Sequence, residues 1–289
     1  MKEYIVLTRS NGTTSKGSPF CKLQIASSST DRFEIAVWDV AETNGPKVGQ
    51  KVSFVTIRDN GNNKSASVQD MRLLGDVTED DPLYALLPHV VKKELWDECL
   101  DKLVAFCTDE KLISIIQAQR NELYEKYKTV PAAANVHHAF SGGLANHTYE
   151  MLHLLLGMYP VMPYPIKIER CILAILFHDW GKIAEYSMAS DGTINTTEHM
   201  YLLGHIYISA YRLNNILKDE KVEGKEIERI VHCVLAHHGQ LEFGSPVLPC
   251  TQEAQIVSFV DNISAKANVL ENTASMEYNR AVSTHVIKG

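Results

Sequence analysis

Through residues 1–76 apolar and polar positions alternate. Phe20-Cys-Lys-Leu-Gln-Ile25, Phe33-Glu-Ile-Ala-Val-Trp38 and Lys51-Val-Ser-Phe-Val-Thr-Ile57 each repeat with a period of two, the spacing of a strand with one buried face. Polar, turn-rich pieces separate them at Ser10–Ser18, Ser27–Asp31, Asn44–Pro46 and Asp59–Lys64. Several short strands in so short a segment predict a small barrel. From Asp80 the period changes. Leu83, Leu86, Leu87, Val90 and Val91, then Leu100, Leu103 and Val104, then Leu112, Ile115 and Ile116 recur at three and four, which predicts a helical connector over residues 77–129. Pro82 suits a first helical turn. A second helical region is expected over residues 130–289.

The turn Gly45-Pro-Lys-Val-Gly-Gln-Lys-Val52, entering a strand, points to an oligonucleotide/oligosaccharide-binding (OB)-like barrel; a β-sandwich and an SH3-like barrel are the alternatives. The expected fold class is therefore multidomain α+β: an N-terminal OB-like β-barrel, a helical connector and an all-α C-terminal bundle. Composition adds limits. With 45% hydrophobic and 22% charged residues among 289, the chain is a folded protein, not a disordered or fibrous one. A formal charge of −7 argues against coating nucleic acid with Lys and Arg alone. Six Cys without a CxxC pair suggest a reducing compartment. The start Met1-Lys2-Glu3-Tyr4 has no apolar signal segment, and the most apolar stretch, Met151–Ile166, holds His153 and three prolines, so it does not span a membrane. The expected location is the cytoplasm.

The candidate chemistry lies in the second half of the chain. His147 falls on a stripe with Leu144, Met151, Leu155 and Met158, and the stripe Ile168, Cys171, Ile172, Ile175 runs on to Asp179 and Lys182. His205 lines up with Ile208 and Arg212. Ile227, Ile230, Val231, Val234 and Leu235 lead to the His237-His238 pair, with Gly239 as the stop. Thr251 is a good N-cap for a helix in which Ala254, Val257 and Asp261 share a face. Any one of these alone reads as a hydrogen-bonded core residue or a helix cap; His153, His199 and His232 are not read as ligands, and His232 is expected on an outer, solvated face. The ordered set on separate helices is harder to explain so. Buried imidazoles and carboxylates must pair or bind metal, and helices projecting them into a shared core can build a dinuclear site. Neighbours on a helix point ~100° apart, so His178 can ligate one metal while Asp179 bridges two.

The phrases His137-His-Ala-Phe-Ser-Gly-Gly-Leu-Ala-Asn-His-Thr148, His178-Asp-Trp-Gly-Lys182, Leu203-Gly-His205 and His237-His-Gly-Gln-Leu-Glu-Phe-Gly-Ser-Pro-Val247, followed by Asp261, resemble the HD-domain metal-dependent phosphohydrolases. Closer still, they resemble the YhaM-type bacterial 3′-5′ exoribonucleases, which join an OB-like barrel to an HD domain. The resemblance implies a metal-dependent 3′-5′ exonuclease that releases nucleotides from single-stranded RNA, with single-stranded DNA as a second substrate. His147, His178, Asp179 and Asp261 would hold a first metal. His205, His237 and His238 would hold a second, bridged by Asp179. Asp179 and Lys182 would be the catalytic pair, with Lys182 on the scissile phosphate. His137, His138, Phe33 and Trp38 are further substrate-binding candidates, whereas Phe54, set between valines, is read as barrel core. Two divalent ions are implied, Mn2+ first and Fe2+, Zn2+, Mg2+, Co2+ or Ni2+ as alternatives. One departure is visible: Ser264 stands where the family commonly has an acid. The competing readings are an HD phosphohydrolase of mononucleotides or a nucleotide second messenger, and a nucleic-acid-binding protein with a vestigial site. A homo-oligomer joined through the apolar connector is open.

Overall fold

The computed structural model describes residues 1–40, 44–61, 63–273 and 276–287; Asn62, within the expected Asp59–Lys64 turn, lies outside them. Two compact units emerge: Met1–His89 with Met188–Asn195 and Thr273–Gly289, and Val90–Ser187 with Thr196–Asn272. The architecture is α+β, a curled sheet in the first unit and a helical bundle in the second.

The first unit is built on β1 (Glu3–Thr13), β2 (Pro19–Ala26), β3 (Arg32–Trp38), β4 (Gln50–Phe54), β5 (Arg58–Asp59), β6 (Lys64–Ser67) and β7 (Met71–Asp76), in the order β5-β6-β3-β2-β1-β4-β7. The alternation read from the sequence holds: Cys21, Leu23, Ile25, Ile35 and Val37 are fully buried, and Leu23 pairs with Ile35 across the ladder. Phe54 is core, as expected. All neighbours are antiparallel except β3 with β6. β6 and β7 stand toward opposite ends of the sheet order, yet they are consecutive pieces of chain joined by one 3-10 turn, Val68–Asp70. That connection curls the sheet into a half-barrel. Ser10–Thr13, expected as a turn, continues β1, because pairing with Pro19–Lys22 overrides its local turn preference.

Leu83, Leu86 and Leu87 are not on an α-helix. Tyr84–Leu86 is a single 3-10 turn between Pro82 and Pro88, and the three leucines pack on Ile5, Leu7 and Ala26. Their spacing reflects covering the outer face of β1. The tail past Asn272 is not helical either: β10 (Tyr278–Asn279) and β11 (Thr284–His285) form a short hairpin. Arg9, its side chain fully buried, donates from Nη1 to the Pro46 carbonyl at 2.9 Å and pairs through Nε with Asp191 at 3.3 Å.

The second unit contains α1 (Lys93–Val104), α2 (Glu110–Tyr127), α3 (Gly143–Met158), α4 (Ile168–Phe177), α5 (Lys182–Glu185), α6 (Glu198–Leu202), α7 (His205–Asp219), α8 (Gly224–Leu235) and α9 (Gln252–Asn272); the short β8 (Tyr186–Met188) and β9 (Ile194–Thr196) pair between α5 and α6. Helix α4 is buried on all sides from Cys171 to Phe177 and forms the axis of the bundle. Trp96, Leu100, Leu112, Ile116 and Tyr127 of α1 and α2 belong to the same core, and the Tyr127 hydroxyl donates to the Leu176 carbonyl at 2.6 Å. Asp109 caps α2 and Thr251 caps α9. All six cysteines are free; burial pushes the Cys233 thiol up to about 12, so it behaves as a small apolar group. Among the described residues no helix is long and apolar enough to cross a membrane.

Candidate metal centre

Two helices expected to run through the candidate residues are broken there. α4 stops at Phe177 and α5 starts at Lys182, which puts His178 and Asp179 on a tight turn. The next break is at Leu203-Gly204, where Gly204 has φ +72°, and His205 opens α7. The two breaks pack together. A Cβ on Gly181 would lie 2.4 Å from the His205 carbonyl oxygen, and the Gly181 N–H donates to the Ser209 hydroxyl at 2.8 Å. Only glycine lets the backbone of His205 approach this turn. α8 ends at Leu235, so His237 and His238 also sit on a turn. Gly143 plays the same part at the start of α3: a Cβ there would overlap the His138 carbonyl oxygen.

Asp179 is fully enclosed at the centre. Its Oδ2 lies 2.6 Å from Lys182 Nζ, 3.1 Å from His178 Nε2 and 4.0 Å from His147 Nε2. Its Oδ1 lies 3.4 Å from His205 Nε2 and 3.7 Å from His237 Nε2. Asp261 Oδ1 is 3.0 Å from His147 Nε2. Ligand atoms of His147, His178 and Asp179 all lie within 4.8 Å of one another, as do those of His205, His237 and His238, and those of His137, His138 and His147. Of the sequence candidates, these eight side chains, Asp261 and Lys182 converge. Phe33 and Trp38 do not join them. Both lie in the half-barrel, Phe33 edge-on to Tyr4 at 5.4 Å and Trp38 against Phe20 at 5.1 Å.

Hydrogen bonds on the far side of each ring fix the protons. Nδ1 of His178 faces the Ile175 carbonyl at 2.8 Å, Nδ1 of His237 that of Val234 at 2.6 Å, and Nδ1 of His238 that of Phe243 at 2.7 Å. Nδ1 of His205 faces the Glu185 carboxylate at 3.2 Å. These partners only accept, so each Nδ1 must carry hydrogen. His147 reaches the same state by a relay. The Ser264 hydroxyl gives its one proton to Glu150 Oε2 at 2.6 Å, leaving only lone pairs for His147 Nδ1 at 2.9 Å. In His147, His237 and His238, whose protonation burial opposes, Nε2 is then a bare lone pair, as it is in His178 and His205 whenever those rings are neutral. Among the described residues, Nε2 of His147, His178, His205 and His237 and Oδ1 of Asp179 are buried without a hydrogen-bond partner. Lone pairs facing carboxylate oxygens repel unless a cation lies between them. The donor set thus fits divalent metal: imidazole nitrogen and carboxylate oxygen suit Mn2+, Fe2+ and Zn2+ alike.

Burial holds His147 and His237 well below the usual histidine range, neutral and ready to ligate. Burial opposes ionisation of Asp179, but the Lys182 ammonium beside it outweighs burial, and the carboxyl is held far below its usual range. Burial first, with the nearby Lys182 ammonium adding to it, pushes His137 down to about 2. His138 Nε2 faces Glu150 Oε1 at 3.0 Å and its Nδ1 faces His137 Nδ1 at 3.3 Å. Glu150, Glu185 and the Ser264 relay escaped the sequence reading. A buried acid at the end of α5, in Lys182-Ile-Ala-Glu185, was the one available signal. His232, expected on a solvated face, is instead half-buried and accepts from the Cys250 N–H at 3.0 Å.

The HD domain family matches residues 144–266. The 3′-5′ exoribonuclease YhaM of Bacillus licheniformis is 30% identical over 92% of this chain and 85% of its own length. Those of Oceanobacillus iheyensis and Bacillus subtilis are 29% and 26% identical, over 92% and 93% of this chain and 84% and 86% of theirs. No solved structure matches the chain.

Proposed function

Because the chain belongs to the family of the YhaM 3′-5′ exoribonucleases, and is thereby a metal-dependent hydrolase, we propose that it shortens single-stranded RNA from the 3′ end with a dinuclear centre. His147, His178, Asp261 and Asp179 Oδ2 would hold one cation; His205, His237, His238 and Asp179 Oδ1 would hold the other. When bound, such a pair supplies an activated water and neutralises charge on the phosphate. Asp179, kept ionised by Lys182, bridges the two halves, and the Lys182 ammonium faces the phosphate side. His178, His237 and His238 are aimed by backbone carbonyls, His147 by Ser264 and Glu150, and His205 by Glu185. His138, donating to Glu150, leaves its Nδ1 to accept from His137, so the neutral His137 has only a lone pair to offer at Nε2. That suits a ribose hydroxyl better than a phosphate oxygen. The half-barrel, with Trp38 exposed beside Phe20, is assigned to gripping the strand by stacking, and Mn2+ is the first metal to try.

The carrying observation is the set of orphaned Nε2 atoms turned toward the two oxygens of one buried aspartate. The test is the full chain with Mn2+ and RNA labelled at its 5′ end, in several lengths, beside a panel of free nucleotides. A ladder shortening from the 3′ end is expected. Hydrolysis confined to the free nucleotides would refute the proposal in favour of a mononucleotide phosphohydrolase.

A further inference from the structure

Beside the metal centre the bundle carries a cleft of about 500 Å³ that the reading above leaves unused. Its floor is His238, whose ring lies 4.3 Å from His237 and 5.3 Å from His205. One wall is the loop after His238, with Gln240 and Phe243. The other is helix α9, where Phe259, Asn262 and Lys266 stand at spacings of three and four. α9 therefore has two working faces: Asp261 and Ser264 turn to the metal centre, and the neighbouring stripe turns to the cleft. Phe243 and Phe259 are 61% and 58% exposed, an unusual outlay of aromatic surface beside a polar centre.

We infer that this cleft holds the nucleobase of the nucleotide whose phosphate lies at the metal centre. The inference rests on the nuclease reading for the position of the phosphate; the chemistry of the walls carries the rest. Two phenyl faces suit a flat heterocycle, and stacking on them tolerates any base because every base has a π face. The carboxamides of Gln240 and Asn262 each donate and accept, so they can meet the edge of any of the four bases. Among the described residues no Asp or Glu lines the cleft, and Lys266 does, which suits an anionic ligand. The cleft volume lies within the range of small-ligand sites. Its continuity with the metal centre through His238 puts base and phosphate within the span of one nucleotide. An enzyme that removes every nucleotide in turn needs such affinity without sequence readout.

The experiment compares binding of AMP, UMP and ribose 5-phosphate to the full Mn2+-loaded chain by calorimetry, with the RNA ladder assay in parallel. Ribose 5-phosphate has the same sugar and phosphate but no base. AMP and UMP should each bind roughly 5- to 150-fold more tightly than ribose 5-phosphate, the span of one stacked base. Phe259→Ala and Phe243→Ala should each erode that advantage while leaving ribose 5-phosphate binding unchanged, and Phe259→Trp should restore it. Equal binding of all three compounds to the wild type, with RNA still shortened, overturns the inference and leaves the nuclease reading intact. An advantage that survives both alanine variants overturns it too. RNA left intact, with a base advantage that depends on Phe259, refutes the nuclease reading and supports the pocket.

Discussion

Replacing Ser264 with alanine tests the proton logic of the centre. Among the described residues the hydroxyl is the only hydrogen-bond partner of His147 Nδ1, and Ser264 is buried at 2% exposure. Alanine leaves that N–H buried and unpaired, at a cost of about 1–3 kcal/mol. Glu150 loses less, since its side chain is 43% exposed and can turn to water. Without the relay the His147 ring can rotate or adopt the other tautomer, which puts hydrogen on Nε2 and removes a ligand. Loss of an outer partner of a metal-bound histidine typically lowers affinity by about 10–100-fold. Titration of the metal-free protein with Mn2+ should thus show one of two sites weakened by that factor and the second nearly unchanged. Glu150→Gln, which keeps an acceptor for the serine, should have a smaller effect in the same direction. Wild-type affinity at both sites of Ser264→Ala would refute the claim that the relay fixes His147.

Gly181→Ala drives a Cβ to within 2.4 Å of the His205 carbonyl oxygen and 2.6 Å of its Cα. Overpacking of about 1–3 kcal/mol and a displaced start of α7 follow, so the variant should melt lower and bind one Mn2+ per chain instead of two, read by metal analysis and calorimetry. In the first unit, burial raises the Asp191 carboxyl, but the Thr193 N–H and hydroxyl and Arg9 outweigh it and hold the pKa below its usual value. A depressed pKa contributes stability above the unfolded value of about 3.9 and loses it as pH falls through the folded value. Urea midpoints from pH 6 to pH 2.5 should show this acid loss in the wild type and less of it in Asp191→Asn. At neutral pH the variant should already be weaker by about 3–5 kcal/mol, because Arg9 stays buried without its counter-charge.

Some of this was legible in the sequence and some was not, for physical reasons. The strands at 20–25 and 33–38 and helix α8 each bury one regular face, so period alone found them. The candidate ligands were legible because each extends such a face. Their local geometry was not: Ile175, Asp179 and Lys182 keep a helical period across a turn that the chain breaks for the His205 backbone. Gly181 and Gly204 were the available signs. Leu83, Leu86 and Leu87 mimic a helix because a 3-10 turn and a helix both bring residues three apart to one side. The acid expected near position 264 arrives from Glu150, 114 residues away in the chain, through a hydroxyl; no local pattern encodes that.

The central claim is that two cations lie among the converging Nε2 atoms on either side of Asp179. Anomalous diffraction from crystals grown with Mn2+ tests it most directly. Two peaks are expected, one between His147, His178 and Asp261, the other between His205, His237 and His238, with an oxygen of Asp179 on each. Peaks elsewhere, or none among these residues at full Mn2+ occupancy of the protein, would contradict the account.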